Sequence, residues 1–231
     1  LGDASFGRRQ EGIPESRLGR AFRFLGARNC SENVDHADAE AMLGQIDIEL
    51  ERAVREARPL SVLILDVDNF KPYNDEFGHL AGDEVLRGMA RVLKKHARRS
   101  DFLARIGGEE FGVLLHAADR DGAVRMAERF RLGIETTDWP RRRITMSVGA
   151  VTVAFPKPVP RPKTPERSQL LAAADRALYH SKEQGRNRVT HVQDLAAVSE
   201  VTVSTETNMA PLSSIAALID QPGSPGCPAW A

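Results

Sequence analysis

Apolar residues recur along this chain at two spacings, and each spacing predicts its own kind of element. Leu43, Ile46, Leu50 and Val54 fall three and four apart, which predicts an amphipathic helix over about Asp38–Arg58. Pro59 stops it, because a proline ring clashes with the preceding turn. Leu60–Leu65 is an unbroken apolar run, the mark of a strand covered on both faces. Helical spacing returns in Gly82–Arg98, where Val85, Leu86, Met89, Val92, Leu93 and His96 share one side. It returns again in Asp121–Glu135 and in Gln169–Glu183. Further strands are predicted at Phe102–Ile106, Phe111–Leu115, Arg143–Val153 and Asn187–Val192.

The segments between these elements are polar or rich in turn residues. Asp66–Gly78 reads as an irregular loop with at most a helical turn. Gly107-Gly108-Glu109-Glu110 has the composition of a tight hairpin tip. Phe155–Pro165 carries five prolines and reads as an exposed loop. Gly185 suits a left-handed helix cap. Residues 1–37 show no period and read as an irregular lead-in, and from Asp194 onward Ser, Thr, Pro, Ala and Gly predict a mostly disordered tail. The order is helix, strand, helix, strand hairpin, helix, strand, helix, strand. It predicts an α+β domain over residues 38–193, one sheet covered by helices.

Composition narrows the partners. Lys plus Arg number 32 and Asp plus Glu number 32, so no overall field draws the chain to nucleic acid or to a membrane surface. An anionic ligand must be held by a local cluster. No apolar run is long enough to span a bilayer. The two cysteines, Cys30 and Cys227, lack metal-ligand spacing and form no disulfide framework, which points to a reducing, cytoplasmic setting.

Four groups carry candidate chemistry. Asp66 and Asp68 follow the apolar run and leave the strand on the same side. The pair fits a metal site and a capped strand end equally well. Glu109 and Glu110 sit on the predicted tip; by themselves they fit a solvated turn. Opposite Asp66 on a neighbouring strand they fit a two-metal site for phosphoryl transfer. Lys71 can meet a phosphate, and Asn74 with Asp83 offers donor and acceptor groups for a purine edge. Lys182 and Arg186 are four apart and share a side, suited to phosphate oxygens or to solvent.

Three strings resemble one family in the order that family requires. Leu65-Asp66-Val67-Asp68-Asn69-Phe70-Lys71, with Asn74-Asp75, Gly78-His79 and Gly82-Asp83, resembles the first half of the GGDEF domain. Arg105-Ile106-Gly107-Gly108-Glu109-Glu110-Phe111 resembles its signature in the G-G-E-E-F variant. Ala174-Asp175-Arg176-Ala177-Leu178-Tyr179, Lys182 and Gly185-Arg186-Asn187 resemble its closing motif. The resemblance implies a nucleotidyl cyclase, palm-like fold with a ferredoxin-related central sheet, the signature riding on a β-hairpin. It implies a bacterial, cytoplasmic diguanylate cyclase that joins two GTP into cyclic di-GMP and two pyrophosphates.

Carried over by residue, the resemblance implies that Asp66, the Val67 carbonyl and Glu109 bind two Mg2+ or Mn2+ ions per active site, with Glu110 close by. Glu109 would also take the proton of the attacking 3′-hydroxyl. Lys71 would face the triphosphate, Asn74 and Asp83 would read guanine, and His79 would lie near sugar or base. Lys182 and Arg186 would hold the β and γ phosphates. Each site would hold one GTP, so a homodimer is implied for turnover. Arg98-Arg99-Ser100-Asp101 fits the R-x-x-D of the family's product-inhibition site, with Arg98 and Asp101 on cyclic di-GMP. Its plainer role is a basic helix C-terminus. The family's opening Asp-x-Leu-Thr turn has no counterpart at Ser31–His36. The alternative is a catalytically silent domain that binds cyclic di-GMP or GTP.

Overall fold

The computed structural model describes residues 39–155 and 164–195. The expected lead-in, most of the proline-rich loop and the tail beyond residue 195 lie outside the described residues. In chain order the elements are α1 (Ala39–Glu56), β1 (Leu60–Val67), α2 (Phe70–Phe77), α3 (His79–His96), β2 (Phe102–Arg105), β3 (Glu110–His116), α4 (Arg120–Glu135), β4 (Met146–Val153), α5 (Arg167–Glu183) and β5 (Val189–His191). The strands form one sheet in the order β2-β3-β1-β4-β5. Among the described residues only the β4–β5 pair is parallel.

The apolar run of β1 is explained by its place at the centre of a three-layer structure. All eight of its residues are buried. Strand side chains alternate between faces. Leu63, Leu65 and Val67 join a core with α3 and α4. Val62 and Ile64 join a second core with α1 and α5. By the same alternation Asp66 falls on the α5 side. Gly149 of β4 sets how near α5 comes: a β-carbon there would overlap the Ala174 carbonyl and the Leu178 backbone. That close approach brings the last turn of α5 over the end of β1.

A chain of buried polar groups stitches the sheet. Ser61 Oγ donates to the Ala118 carbonyl at 2.8 Å, so it accepts from Thr152 Oγ1 at 2.7 Å. Thr152 in turn accepts from His191 Nε2 at 3.1 Å, and His191 Nδ1 accepts from the Gln193 amide. This direction of donation requires neutral His191.

The structure departs from the expected elements in one important place. Residues 70–77, expected as a loop, form α2. Phe70 and Tyr73 are three apart and buried, and Phe77 packs against the same core. Pro72 is tolerated because it lies in the first turn, where its missing N–H has no helical acceptor. α3 also starts earlier than expected, at His79, and β4 later, at Met146.

Burial lowers the His191 pKa from its ordinary 6.5 to about 4. A group whose charged form is disfavoured in the folded state loses stability as pH falls through that window. The contribution of His191 to thermal stability should therefore shrink as pH falls from about 6.5 to 4. The stability gap to His191→Leu should narrow over the same range. A gap that stays constant would show that His191 does not titrate there.

Candidate active site

The end of the β1–β3 ladder places two carboxylates face to face. Asp66 pairs with Glu110 in register, and the two are 2% and 9% exposed. Asp66 Oδ2 holds Lys182 Nζ at 2.6 Å, while its Oδ1 is buried without a hydrogen-bond partner. Burial pushes the Asp66 carboxyl up to about 6; Lys182 opposes this, and the charges of Glu109 and Asp68 reinforce it. Burial and the charge of Asp66 push Glu110 up to about 7, with Lys182 again opposing. One ammonium therefore serves a group of acids that repel one another.

Among the described residues no three His, Cys, Asp or Glu side chains form a ready-made metal cage. The donors present still fit a hard cation of the magnesium type, which takes one or two carboxylates and draws its other oxygens from phosphate and water. The unpartnered Asp66 Oδ1 is the observation that favours such a fit.

The expected convergence of Asp66 with Glu109 is refined by the register. Glu110 is the direct cross-strand neighbour of Asp66, and Glu109 stands one residue nearer the turn. The turn is firmly held. The Glu109 carbonyl accepts from the Val67 amide at 3.2 Å. The Glu110 carbonyl accepts from the Ile106 and Gly107 amides at 2.9 and 3.3 Å. Arg105 donates to the Gly107 and Gly108 carbonyls at 3.3 and 2.7 Å. Sequence reasoning noted Arg105 only as part of a string; its role in fixing the turn emerges from the fold.

Lys71, Asn74, His79 and Asp83 occupy the α2–α3 corner. Lys71, His79 and Asp83 are exposed, with His79 and Asp83 one helical turn apart on α3. Asn74 Oδ1 is buried and has no hydrogen-bond partner. It lies where a β-carbon of residue 82 would sit, so Gly82 leaves room for that amide. Arg186 is exposed on the turn after α5 and has a left-handed φ of 64°. Lys182, the other residue expected on phosphate, forms an ion pair with Asp66.

Arg98 and Asp101 form the turn between α3 and β2, at the opposite end of β2 from the signature. The Asp101 carboxylate accepts from the Arg98 amide at 2.7 Å, and the Asp101 amide donates back to the Arg98 carbonyl at 3.0 Å. Burial pushes the Asp101 carboxyl upward, against the Arg98 hydrogen bond and the charges of Arg98 and Arg129. Arg129 of α4 was not singled out in sequence. Its Nε donates to His96 Nδ1 at 3.3 Å, and both residues line an open groove of about 770 Å³ with Arg125, Leu132 and Thr136. Among the described residues no helix is long and apolar enough to cross a membrane.

The profile of the family described as "Diguanylate cyclase, GGDEF domain" matches residues 38–188. The chain is 38% identical over 160 residues to the probable diguanylate cyclase DgcT of Escherichia coli, covering 67% of this chain and 34% of that protein. It thus spans about a third of the length of the curated relatives it matches. The fold resembles the GGDEF domain of DgcB from Caulobacter crescentus, solved in complex with c-di-GMP. The TM-score is 0.63 at 29% identity, covering 72% of this chain and 98% of that one. It also resembles the active GGEEF domain of a diguanylate cyclase from Vibrio cholerae, with TM-score 0.62 at 28% identity, covering 68% and 98%.

The raised Glu110 pKa has a measurable sign. A carboxyl shifted from 4.5 to about 7 favours its protonated form in the folded state, so stability falls as pH rises across that interval. Glu110→Gln, which keeps the shape and removes the charge, should melt a few °C above the unaltered protein at pH 8. At pH 5 the two should melt together. Equal melting at pH 8 would show that Glu110 ionises without penalty.

Proposed function

This chain belongs to the diguanylate cyclase GGDEF domain family, and from that premise we propose that it condenses two GTP molecules into cyclic di-GMP with release of two pyrophosphates. The observation that carries the reading is the Asp66–Glu110 pair, buried at the end of the ladder with an unpartnered oxygen and Lys182 as the cation paired with Asp66. Such a pair favours divalent cations, and a bound nucleotide would bring the phosphate oxygens to complete their shells.

Asp66, the Val67 carbonyl, Glu109 and Glu110 would hold two Mg2+ or Mn2+ ions. Those ions, when bound, would acidify the 3′-hydroxyl and spread charge on the α-phosphate and leaving pyrophosphate. The chain's own residues position and neutralise. Glu109, on a turn fixed by Arg105, takes the proton of the 3′-hydroxyl as its oxygen attacks the α-phosphorus. Lys71 stabilises the charge that builds on the triphosphate. Asn74 has a buried, unpartnered amide oxygen for a guanine N–H, and Asp83 supplies a second acceptor at the same corner. His79 sits beside Asp83 towards sugar or base. Arg186 and Lys182 hold the β and γ phosphates; phosphate competes with Asp66 for the Lys182 ammonium. One nucleotide per site makes a two-fold pair of copies necessary for ring closure. Arg98 and Asp101 would bind the product and slow the enzyme.

Purified protein incubated with GTP and magnesium should give a product with the mass of cyclic di-GMP. Glu109→Gln should lower that rate at least about 100-fold, in line with loss of a proton acceptor that also binds metal. Cyclic di-GMP binding without turnover would instead establish a silent binding module. Arg98→Ala should leave the initial rate intact and raise the product yield at which the reaction levels off. An unchanged progress curve would remove the inhibitory role of Arg98.

A further inference from the structure

Asp68 follows Asp66 by two residues, yet its surroundings are of another kind. It is 6% exposed, and both carboxylate oxygens are engaged. Oδ1 accepts from Ser147 Oγ at 2.6 Å. Oδ2 accepts from Thr145 Oγ1 at 2.8 Å and from the Asn187 amide at 2.9 Å. Its own amide donates to the Thr145 carbonyl at 2.9 Å. Asp66, by contrast, keeps an oxygen free.

Asn187 closes the turn that follows α5. Gly185, Arg186 and Asn187 have φ of 108°, 64° and 46°. Glycine and asparagine enter that region cheaply; an arginine does not, and such a run persists only where its neighbours hold it. The neighbours here are explicit. Asp68 takes the Asn187 amide from the sheet side. From α4, Arg131 donates to Asn187 Oδ1 at 2.9 Å, and Glu135 accepts from Asn187 Nδ2 at 2.8 Å. Arg131 is itself fixed by Glu128 and Glu135 at 2.7 and 2.6 Å. The Arg186 amide returns to the Ser181 carbonyl at 3.0 Å. The turn is thereby clamped between sheet and helix, with Arg186 as its exposed central residue.

We propose that Asp68 is a positioning residue: through the Asn187 amide it holds the strained turn that presents Arg186 to the terminal phosphates of the nucleotide, and it is not a metal ligand. This rests on the cyclase reading for the identity of the nucleotide. Charge-assisted hydrogen bonds of this kind are individually strong, so an amide in place of the carboxylate loosens the turn without opening the core.

The test is a double-mutant cycle with binding as its readout. The probes are a non-reactive GTP analogue with a methylene group between its α and β phosphates, and GMP, which lacks the phosphates Arg186 would touch. Asp68→Asn should weaken analogue binding about tenfold and leave GMP binding within about twofold. Arg186→Ala should do the same. In the Arg186→Ala background Asp68→Asn should have almost no further effect. The magnesium concentration for half-maximal turnover at saturating GTP should not move. If Asp68→Asn fails to fold, Asp68→Glu, which keeps the charge but moves the carboxylate by one methylene off the Asn187 amide, should show the same selective loss.

Equal losses for analogue and GMP, additive effects in the cycle, or a raised magnesium requirement would each overturn the positioning role. If the unaltered protein binds the analogue selectively yet makes no cyclic di-GMP, the cyclase reading fails and the positioning role stands. If it binds neither nucleotide, both fail.

Discussion

Mutual repulsion between buried acids at the end of one strand pair organises the rest of this molecule. Asp66 and Glu110 face each other across the ladder, with Glu109 one residue away. Burying carboxylates costs several kcal/mol each unless a counter-charge is present. Among the described residues the counter-charge is Lys182, and its reach depends on how closely α5 lies on β4. That approach depends in turn on the absence of a side chain at Gly149. A single ammonium cannot balance the group: burial first, and neighbouring carboxylates after it, hold both acids above their ordinary pKa. The charge of such a group is relieved by protonation or, more fully, by a multiply charged cation.

The two aspartates after β1 show how one sequence pattern divides into two roles. Residue type and strand parity make Asp66 and Asp68 alike. What separates them is the donor supply around each. Asp68 meets two hydroxyls and a main-chain amide, so its charge is satisfied locally. Asp66 meets one ammonium and keeps an open oxygen. Under the proposed function the satisfied acid serves structure and the unsatisfied acid serves the ligand site. Removing either would destabilise different things: the turn after α5 in one case, the charge balance of the ladder in the other.

Much of the fold was legible because burial on both faces leaves a plain signature. β1 and β4 carry near-continuous apolar runs, and α1, α3, α4 and α5 carry clear helical spacing. α2 was hidden by its polar composition and by Pro72, although Phe70, Tyr73 and Phe77 hold the spacing of a short amphipathic helix. The local motifs were also legible, since Asp66 and Lys71 or Glu109 and Glu110 lie close in sequence. Contacts between distant segments were not. Nothing in the string around Asp68 points to Asn187, and nothing near Asp101 points to Arg129 on α4. The same holds for Lys182, whose ion pair with Asp66 joins segments far apart in the chain.

The placement of Arg98 and Asp101 constrains how a ligand there can affect catalysis. Their turn and the signature turn are the two ends of β2. A ligand could in principle act by sliding that strand, but the register opposes it. Phe102–Arg105 pair with Leu114–Phe111, and Ala104 is fully buried against α1. A one-residue slip would turn each of those side chains to the opposite face and break the Arg105 hold on Gly107 and Gly108. Strand sliding is therefore the costlier route. The cheaper route leaves the sheet unchanged and acts on the encounter between two copies. Arg98 is exposed, and Arg129 borders an open groove beside it. A ligand seated there adds bulk and new contacts on the outer surface, where a second copy can be held away from the paired arrangement that ring closure requires. Under the proposed function, a ligand at Arg98 and Asp101 would therefore act on the pairing of copies, and the geometry around Asp66 and Glu110 would stay fixed throughout.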